Sequence, residues 1–244
     1  MSLRHHEIAE AEHRILNPIT ESKLDLLGEL CRLRAGMRML DLACGKGEML
    51  ARWSAAYGVT GVGVDLSDYF LLAAERRAAE LRVADRLTFV SGDAGAYEAE
   101  AGAFDVVACV GATWIGGGLA GTLDLMRPAL KSDGQLLVGE PYWIDEPPPG
   151  AAEALGAGDI TSLEGTLNRF EASGCELVEM VHADPDSWDR YVASQWRTIA
   201  DWLRANPGDP EAPAMRDFAE RSRRSHMAYG RRYFGWGVFV LRVA

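Results

Sequence analysis

Met39-Leu40-Asp41-Leu42-Ala43-Cys44-Gly45-Lys46-Gly47-Glu48 decides how the rest of the chain is read. An apolar run reaches an acid, breaks at two closely spaced glycines and restarts as Met49-Leu50-Ala51-Arg52-Trp53. That order predicts strand, tight turn and helix, as found where a nucleotide-like ligand lies at the mouth of a parallel sheet. Gly45 and Gly47 lack a Cβ, so the turn can take positive φ and a ligand can approach the backbone. The unpaired N–H groups that open the helix point into the same space.

Downstream, Gly61-Val62-Gly63-Val64-Asp65 reads as a second strand ending on an acid, 65 − 41 = 24 residues after Asp41. A carboxylate at that strand end can accept two hydrogen bonds from a ribose diol. Ser67 and Asp68 can cap the helix expected from Asp68 to Leu81, which leaves Asp65 for the ribose. A third strand, Leu87 to Val90, runs into Ser91-Gly92-Asp93-Ala94, where Asp93 also suits an N-cap for Ala94 to Tyr97. Phe104 to Gly111 is a near-continuous apolar run, as expected of a strand covered on both faces. After a glycine-rich turn holding Trp114 come a helix from Leu119 to Leu130 and a fifth strand, Gln135 to Gly139, followed by Glu140-Pro141-Tyr142-Trp143. A loose connection from Pro147 to Asp159 leads to Thr161-Ser162-Leu163-Glu164, read as a capping box for a helix stopping at Gly174. Cys175 to Ala183 is the sixth strand.

Upstream, helical spacing from His5 to Leu16 is broken at Asn17-Pro18, and Thr20 caps a helix expected from Glu21 to Leu33. Toward the other end, Trp188, Val192, Trp196, Ile199 and Leu203 recur at helical spacing. A second helical stretch follows from about Glu211 to Met227, and a last strand lies within Tyr233 to Val243.

Together these stretches resemble the class I S-adenosylmethionine (SAM)-dependent methyltransferase superfamily, in its small-molecule type. The likeness covers residues 36–183 and 233–243. The family's first motif is acid-x-Gly-x-Gly-x-Gly; here Asp41 is the acid, Gly45 and Gly47 are the later glycines, and Ala43 replaces the first. The resemblance implies an α/β fold: a doubly wound, mostly parallel seven-stranded sheet. An N-terminal helical segment (1–35) would precede a core (36–183 and 233–244) interrupted by a helical insertion (184–232) that could serve as a lid. It implies SAM as cofactor, with S-adenosylhomocysteine as product. Asp41, Ala43, Gly45 and Gly47 would surround it, with Asp65 and Leu66 at the ribose, Asp93 and Ala94 beside the adenine, and Val110 beneath.

For the acceptor, Trp114, Glu140 and His182 are candidates by position, and Tyr142 and Trp143 could line the same space. Glu140, His182 and His13 are the candidate bases, and none is singled out as the catalytic residue. The expected reaction is in-line methyl transfer to a small molecule, which needs a base only if the attacking atom carries a proton that must leave.

A SAM-binding regulator without turnover would share every cofactor residue. The NAD(P) fingerprint G-x-G-x-x-G fits poorly, because the position three after Gly47 is Leu50. The Asn/Asp-Pro-Pro-aromatic motif of nucleic-acid amine methyltransferases is absent after the fourth strand, where Cys109-Val110-Gly111-Ala112 stands. A net charge of −11 also disfavours nucleic acid. Cys31, Cys44, Cys109 and Cys175 show no metal-ligand spacing and read as reduced thiols. No apolar run approaches the ~18 residues of a membrane span, and the first residues show no signal-peptide core. A cytoplasmic monomer or homodimer with no bound metal is expected.

Overall fold

The computed structural model describes residues 2–244. Its strands are β1 (Arg38–Leu42), β2 (Thr60–Asp65), β3 (Leu87–Ser91), β4 (Phe104–Val110), β5 (Leu130–Trp143), β6 (Cys175–His182) and β7 (Phe234–Val243). The helices that matter here are α1 (Leu3–Ala9), α2 (Glu21–Leu30), α3 (Glu48–Tyr57), α4 (Asp68–Glu80), α5 (Leu119–Met126), α6 (Ala151–Leu155), α7 (Leu163–Ala172), α8 (Pro185–Ala205) and α9 (Ala212–Ser225). One seven-stranded sheet runs in the order β3-β2-β1-β4-β5-β7-β6. β1 to β5 pair in parallel, and β7 is antiparallel to both of its neighbours. The doubly wound architecture expected from the sequence is therefore present. Among the described residues, no helix is long and apolar enough to cross a membrane.

The inner strands alternate their side chains between two buried faces, while the edge strands β3 and β6 are partly exposed. Met39, Val106, Leu137, Val238 and Val240 pack with Leu24 and Leu27 of α2 and Leu50 and Trp53 of α3. Leu40, Val107, Cys109, Leu136, Val138 and Phe239 face the other way, against Leu123 and Met126 of α5 and Phe170 of α7. Gly61 and Gly63 let α3 lie close to β2: a Cβ on either would come within 2.7 Å or 3.1 Å of a Leu50 methyl group.

Several boundaries differ from the sequence reading. The N-terminal helix ends at Ala9 rather than near Leu16, because the carbonyls of Glu10, Ala11 and His13 are taken by the Lys46 ammonium. α2 stops at Leu30, and Arg32 beyond it takes φ +53°. α5 ends at Met126, and a 3-10 turn carries the chain from Arg127 to Ala129. The α7 cap is Ser162, which accepts from the Gly165 N–H one residue after the expected position, and glycine there has no side chain to close a capping box. A short helix, α6, occupies part of the connection read as loose. β5 extends far beyond Gln135 to Gly139, because antiparallel pairing with β7 carries it to Trp143 opposite Phe234.

The apolar stripe of α8 is buried within the same chain. Ile199 packs with Ile8 and Ala9 of α1 and with Met215 and Ala219 of α9. The Trp196 indole donates to Ser222 at 2.8 Å, and the Trp188 ring stands edge-on to Phe234. α8 is itself closed by a reciprocal cap between Asp184 and Ser187.

Glu140 and His182 lie on the α5–α7 side of the sheet. Glu140 is two residues from Val138 on an alternating strand and so points the same way. Its buried carboxylate accepts from the Thr113 hydroxyl. His182 Nδ1 meets the Tyr142 hydroxyl at 2.8 Å, and its ring packs on Phe239. Burial pushes Glu140 up to about 7, against the Thr113 hydrogen bond and the Arg169 charge. A carboxyl raised on folding gives stability that is complete below its unfolded value, near 4.5, and is lost as pH rises through about 7. Glu140→Gln should therefore melt like the parent at about pH 4.5 and about 7 °C or more higher at about pH 8.5. Thermal scans at the two pH values check this; an equal shift at both would contradict it.

Candidate functional site

The turn between β1 and α3 gathers the first group of site residues. Ala43 takes φ +59°, a conformation glycine adopts without strain, which explains the glycine usual at this motif position. Gly45 follows with φ +53°, and its N–H donates to Asp65 Oδ2 at 2.8 Å. Asp65 Oδ1 accepts from the Ser67 N–H at 2.9 Å, so the carboxylate is fixed by two backbone donors while further lone pairs stay free. Ser67 itself caps α4, leaving Asp65 out of that duty. Gly47, at φ +62°, opens α3 from behind the turn; a Cβ there would strike Phe89 at 2.7 Å and Ala74 at 2.8 Å. Its role in the fold is close packing.

Asp41 is buried at the end of β1. Burial, with the Asp65 charge added, pushes its carboxyl up to about 8. Asp93 accepts from the Gly95 N–H at 2.9 Å through Oδ1, so it caps a short turn, and it also lines the cavity. Cys44 also faces the cavity, but burial and the two neighbouring acids hold its thiol protonated.

A cavity of about 720 Å³ opens over these strand ends. Its walls include Asp41, Ala43, Gly45, Asp65, Leu66, Asp93, Ala94 and Val110, so the three acids meet in one crevice. Trp114 stands at the rim, 72% exposed. Gly47, Glu140, His182, Tyr142 and Trp143 are not among the lining residues. Tyr142 and Trp143 belong to β5, and the Trp143 indole is tied to the Ile160 carbonyl at 3.0 Å.

The far wall comes from segments outside the parallel strands. Ile15 to Ile19 cross above the turn, and a Cβ on Gly45 would come 2.6 Å from Leu16. Lys46 fastens that segment, its ammonium donating to the carbonyls of Glu10 (2.8 Å), Ala11 (2.7 Å) and His13 (2.7 Å). Glu10, fully buried, accepts from the Tyr191 hydroxyl at 2.7 Å and from Gln195 at 2.5 Å, both on α8. Burial pushes Glu10 up, but hydrogen bonds from His13 and Tyr191 outweigh it and leave the carboxyl low. Burial and the Glu10 charge hold the Tyr191 phenol well above its usual value. Trp188 and Tyr191 of α8, and Trp236 and Val238 of β7, complete the wall.

Lys46, Glu10, Asn17, Tyr191, Trp188 and Trp236 were not assigned to the site from sequence. Lys46 had one available signal, since a lysine between two turn glycines cannot bury its ammonium without acceptors. His13 packs against Tyr191, and its Nε2 meets the Tyr191 carbonyl at 3.1 Å, so it braces the wall.

Known proteins resemble this chain in sequence and fold. The methyltransferase-domain family profile matches residues 39–134. The Escherichia coli (strain K12) protein YjhP is 45% identical over 238 residues, 96% of this chain and 96% of that one. A SAM-dependent methyltransferase from Geobacter sulfurreducens, solved in complex with S-adenosyl-L-homocysteine, is 45% identical with a TM-score of 0.95, covering 100% of this chain and 99% of that one. One from Thiobacillus denitrificans, in complex with the same compound, is 44% identical with a TM-score of 0.95 and the same coverage. Because both solved relatives match from end to end and hold the demethylated cofactor, this chain belongs to the class I SAM-dependent methyltransferases, and its cofactor is SAM.

Proposed function

We propose that this methyltransferase passes the methyl group of SAM to a small molecule held in the same cavity, by in-line displacement. The observation that carries the reading is the cavity's two-sided lining, with acids at the strand ends and apolar side chains from the N-terminal segment, α2, α8 and β7 opposite. The residues fit the cofactor's chemistry. Asp65, already oriented by Gly45 and Ser67, has lone pairs left for a ribose diol. Asp93 stands where it can receive an adenine amino group. Asp41 supplies negative charge toward a ligand that carries an ammonium and a sulfonium. When bound, SAM supplies an electrophilic methyl whose bond to sulfur breaks as the bond to the acceptor forms, the electron pair staying on sulfur.

The chain's part is to position, desolvate and orient. Leu16, closing over Gly45, and the two tryptophans of the far wall keep water from the crevice. Holding the acceptor in line replaces a bimolecular encounter, which is worth many orders of magnitude in effective concentration. In this reading residues 36–183 and 233–244 bind the cofactor, while 1–35 and the insertion 184–232 form the cap that selects the acceptor. Tyr191, whose phenol Glu10 holds, is no base.

Asp65→Ala should weaken binding of S-adenosylhomocysteine by about 1.5–3 kcal/mol, the range for hydrogen bonds to a charged group. Calorimetry checks it, and unchanged affinity would remove Asp65 from the ribose role. A second expectation concerns pH. A cationic ligand binds the ionised form of Asp41 better, so below about pH 8 binding must expel a proton. SAM affinity should fall about tenfold between about pH 7.5 and about pH 6, and Asp41→Asn should flatten that slope. A parent profile already flat over that range would exclude Asp41 from contact with the cation.

A further inference from the structure

The acceptor end of the cavity is walled by Ile19, Leu24, Leu27, Trp188, Trp236 and Val238. Apart from His6, whose ring stands edge-on to Phe70 of α4 at 5.3 Å on the cofactor side, the charged groups that touch the cavity are committed elsewhere. Lys46 is saturated by three carbonyls. Glu48 is held by Arg77 at 2.7 Å and by Arg52 at 3.4 Å. Arg14 is half exposed and turns toward Glu80 at 3.8 Å. Asp41, Asp65 and Asp93 stand at the other end, on β1, β2 and the turn after β3. The Tyr191 hydroxyl, the nearest polar group of α8, is spent on Glu10 at 2.7 Å and the Leu16 carbonyl at 3.2 Å.

One polar side chain there is uncommitted. Asn17 lines the cavity, and its backbone carbonyl accepts from the Ile19 N–H at 2.8 Å. Its side-chain amide has no hydrogen-bond partner among the described residues. A Cβ on Gly111 would fall 2.5 Å from Asn17 Oδ1 and 3.8 Å from the Trp236 ring. The amide therefore sits at the junction between the end of β4, on the cofactor side, and the tryptophan that begins the acceptor side. Pro18, next in the chain, restricts the backbone that presents it.

We propose that this end of the cavity takes an uncharged, mainly apolar molecule with one hydrogen-bonding group, which the Asn17 amide receives. The proposal rests on the methyl-transfer reading above. An anionic acceptor would be buried with no cation to meet it, and a cationic one would share the cavity with the cofactor's sulfonium. An amide offers both a donor and an acceptor and neutralises neither sign of charge. Apolar walls with a few placed polar groups are how small-molecule pockets select by shape and orientation.

The test uses the full-length protein saturated with sinefungin, which carries an ammonium where SAM carries its sulfonium, and four probes of matched shape: 4-ethylphenol, 4-ethylbenzoate, 4-ethylbenzylammonium and 4-ethyltoluene. Ligand-observed NMR titration should show the phenol binding about tenfold or more tightly than either charged probe. Asn17→Leu should cost the phenol about tenfold and leave 4-ethyltoluene within about twofold. Asn17→Asp should move the preference to the benzylammonium. Either charged probe binding the parent as tightly as the phenol, or no probe binding it, would overturn the proposal, as would equal losses for phenol and toluene in Asn17→Leu. Cofactor-product affinity is measured first and separately. Failure there would strike the methyl-transfer reading itself and this proposal with it, whereas failure of the probes alone leaves that reading standing.

Discussion

The Lys46 ammonium, set against three carbonyls of the N-terminal segment, is the contact on which the shape of the site depends. It springs from the turn that joins β1 to α3, so the element that shapes the cofactor crevice also fixes what lies above it. A buried ammonium is tolerable only when its donors are satisfied, and here the acceptors are carbonyls released by ending α1 at Ala9. The local loss of helix and the closing of the cavity are one event. Glu10 then extends the arrangement to α8 through Tyr191 and Gln195.

Two kinds of physics divide the cavity. At the strand ends, backbone N–H groups orient Asp65 and Asp93, and burial raises Asp41, so a cationic ligand there draws out the ionised carboxylate that burial alone disfavours. Across from them, shape and desolvation take over, supplied by side chains from α2, α8, β7 and the N-terminal segment. The first half is made of short-range features of a βα turn. The second exists only after distant parts of the chain have met.

That division also separates what could be read in the residues from what could not. Asp41, Asp65 and Asp93 were legible because each lies at or just past the end of an apolar run, and the end of a parallel strand is a place as well as a pattern. The α8 stripe was legible as a stripe, but its partners, α1 and α9, were not, since nothing in its spacing says what it covers. Glu140 and His182 fall outside the cavity lining for a definite reason. Both faces of β5 and β7 are apolar, so alternation shows that Glu140 shares a face with Val138 without showing which face that is. The Lys46 clamp and the contact of Asn17 with Gly111 join residues far apart in sequence, and no local pattern announces them.

The place of β7 bears on how the molecule is made. The last of these seven strands in chain order lies inside the sheet, between β5 and β6, and among the described residues β6 pairs with no other strand. During synthesis, β1 to β5 can assemble in the order in which they appear, bringing the three acids together early. β6 must wait, with α8 and α9 already translated, until Phe234 to Val243 arrives to join it to the sheet. Trp236 and Val238 arrive with that strand. A chain that stalls short of residue 234 can therefore complete the acidic half of the crevice and still have no finished place for an acceptor.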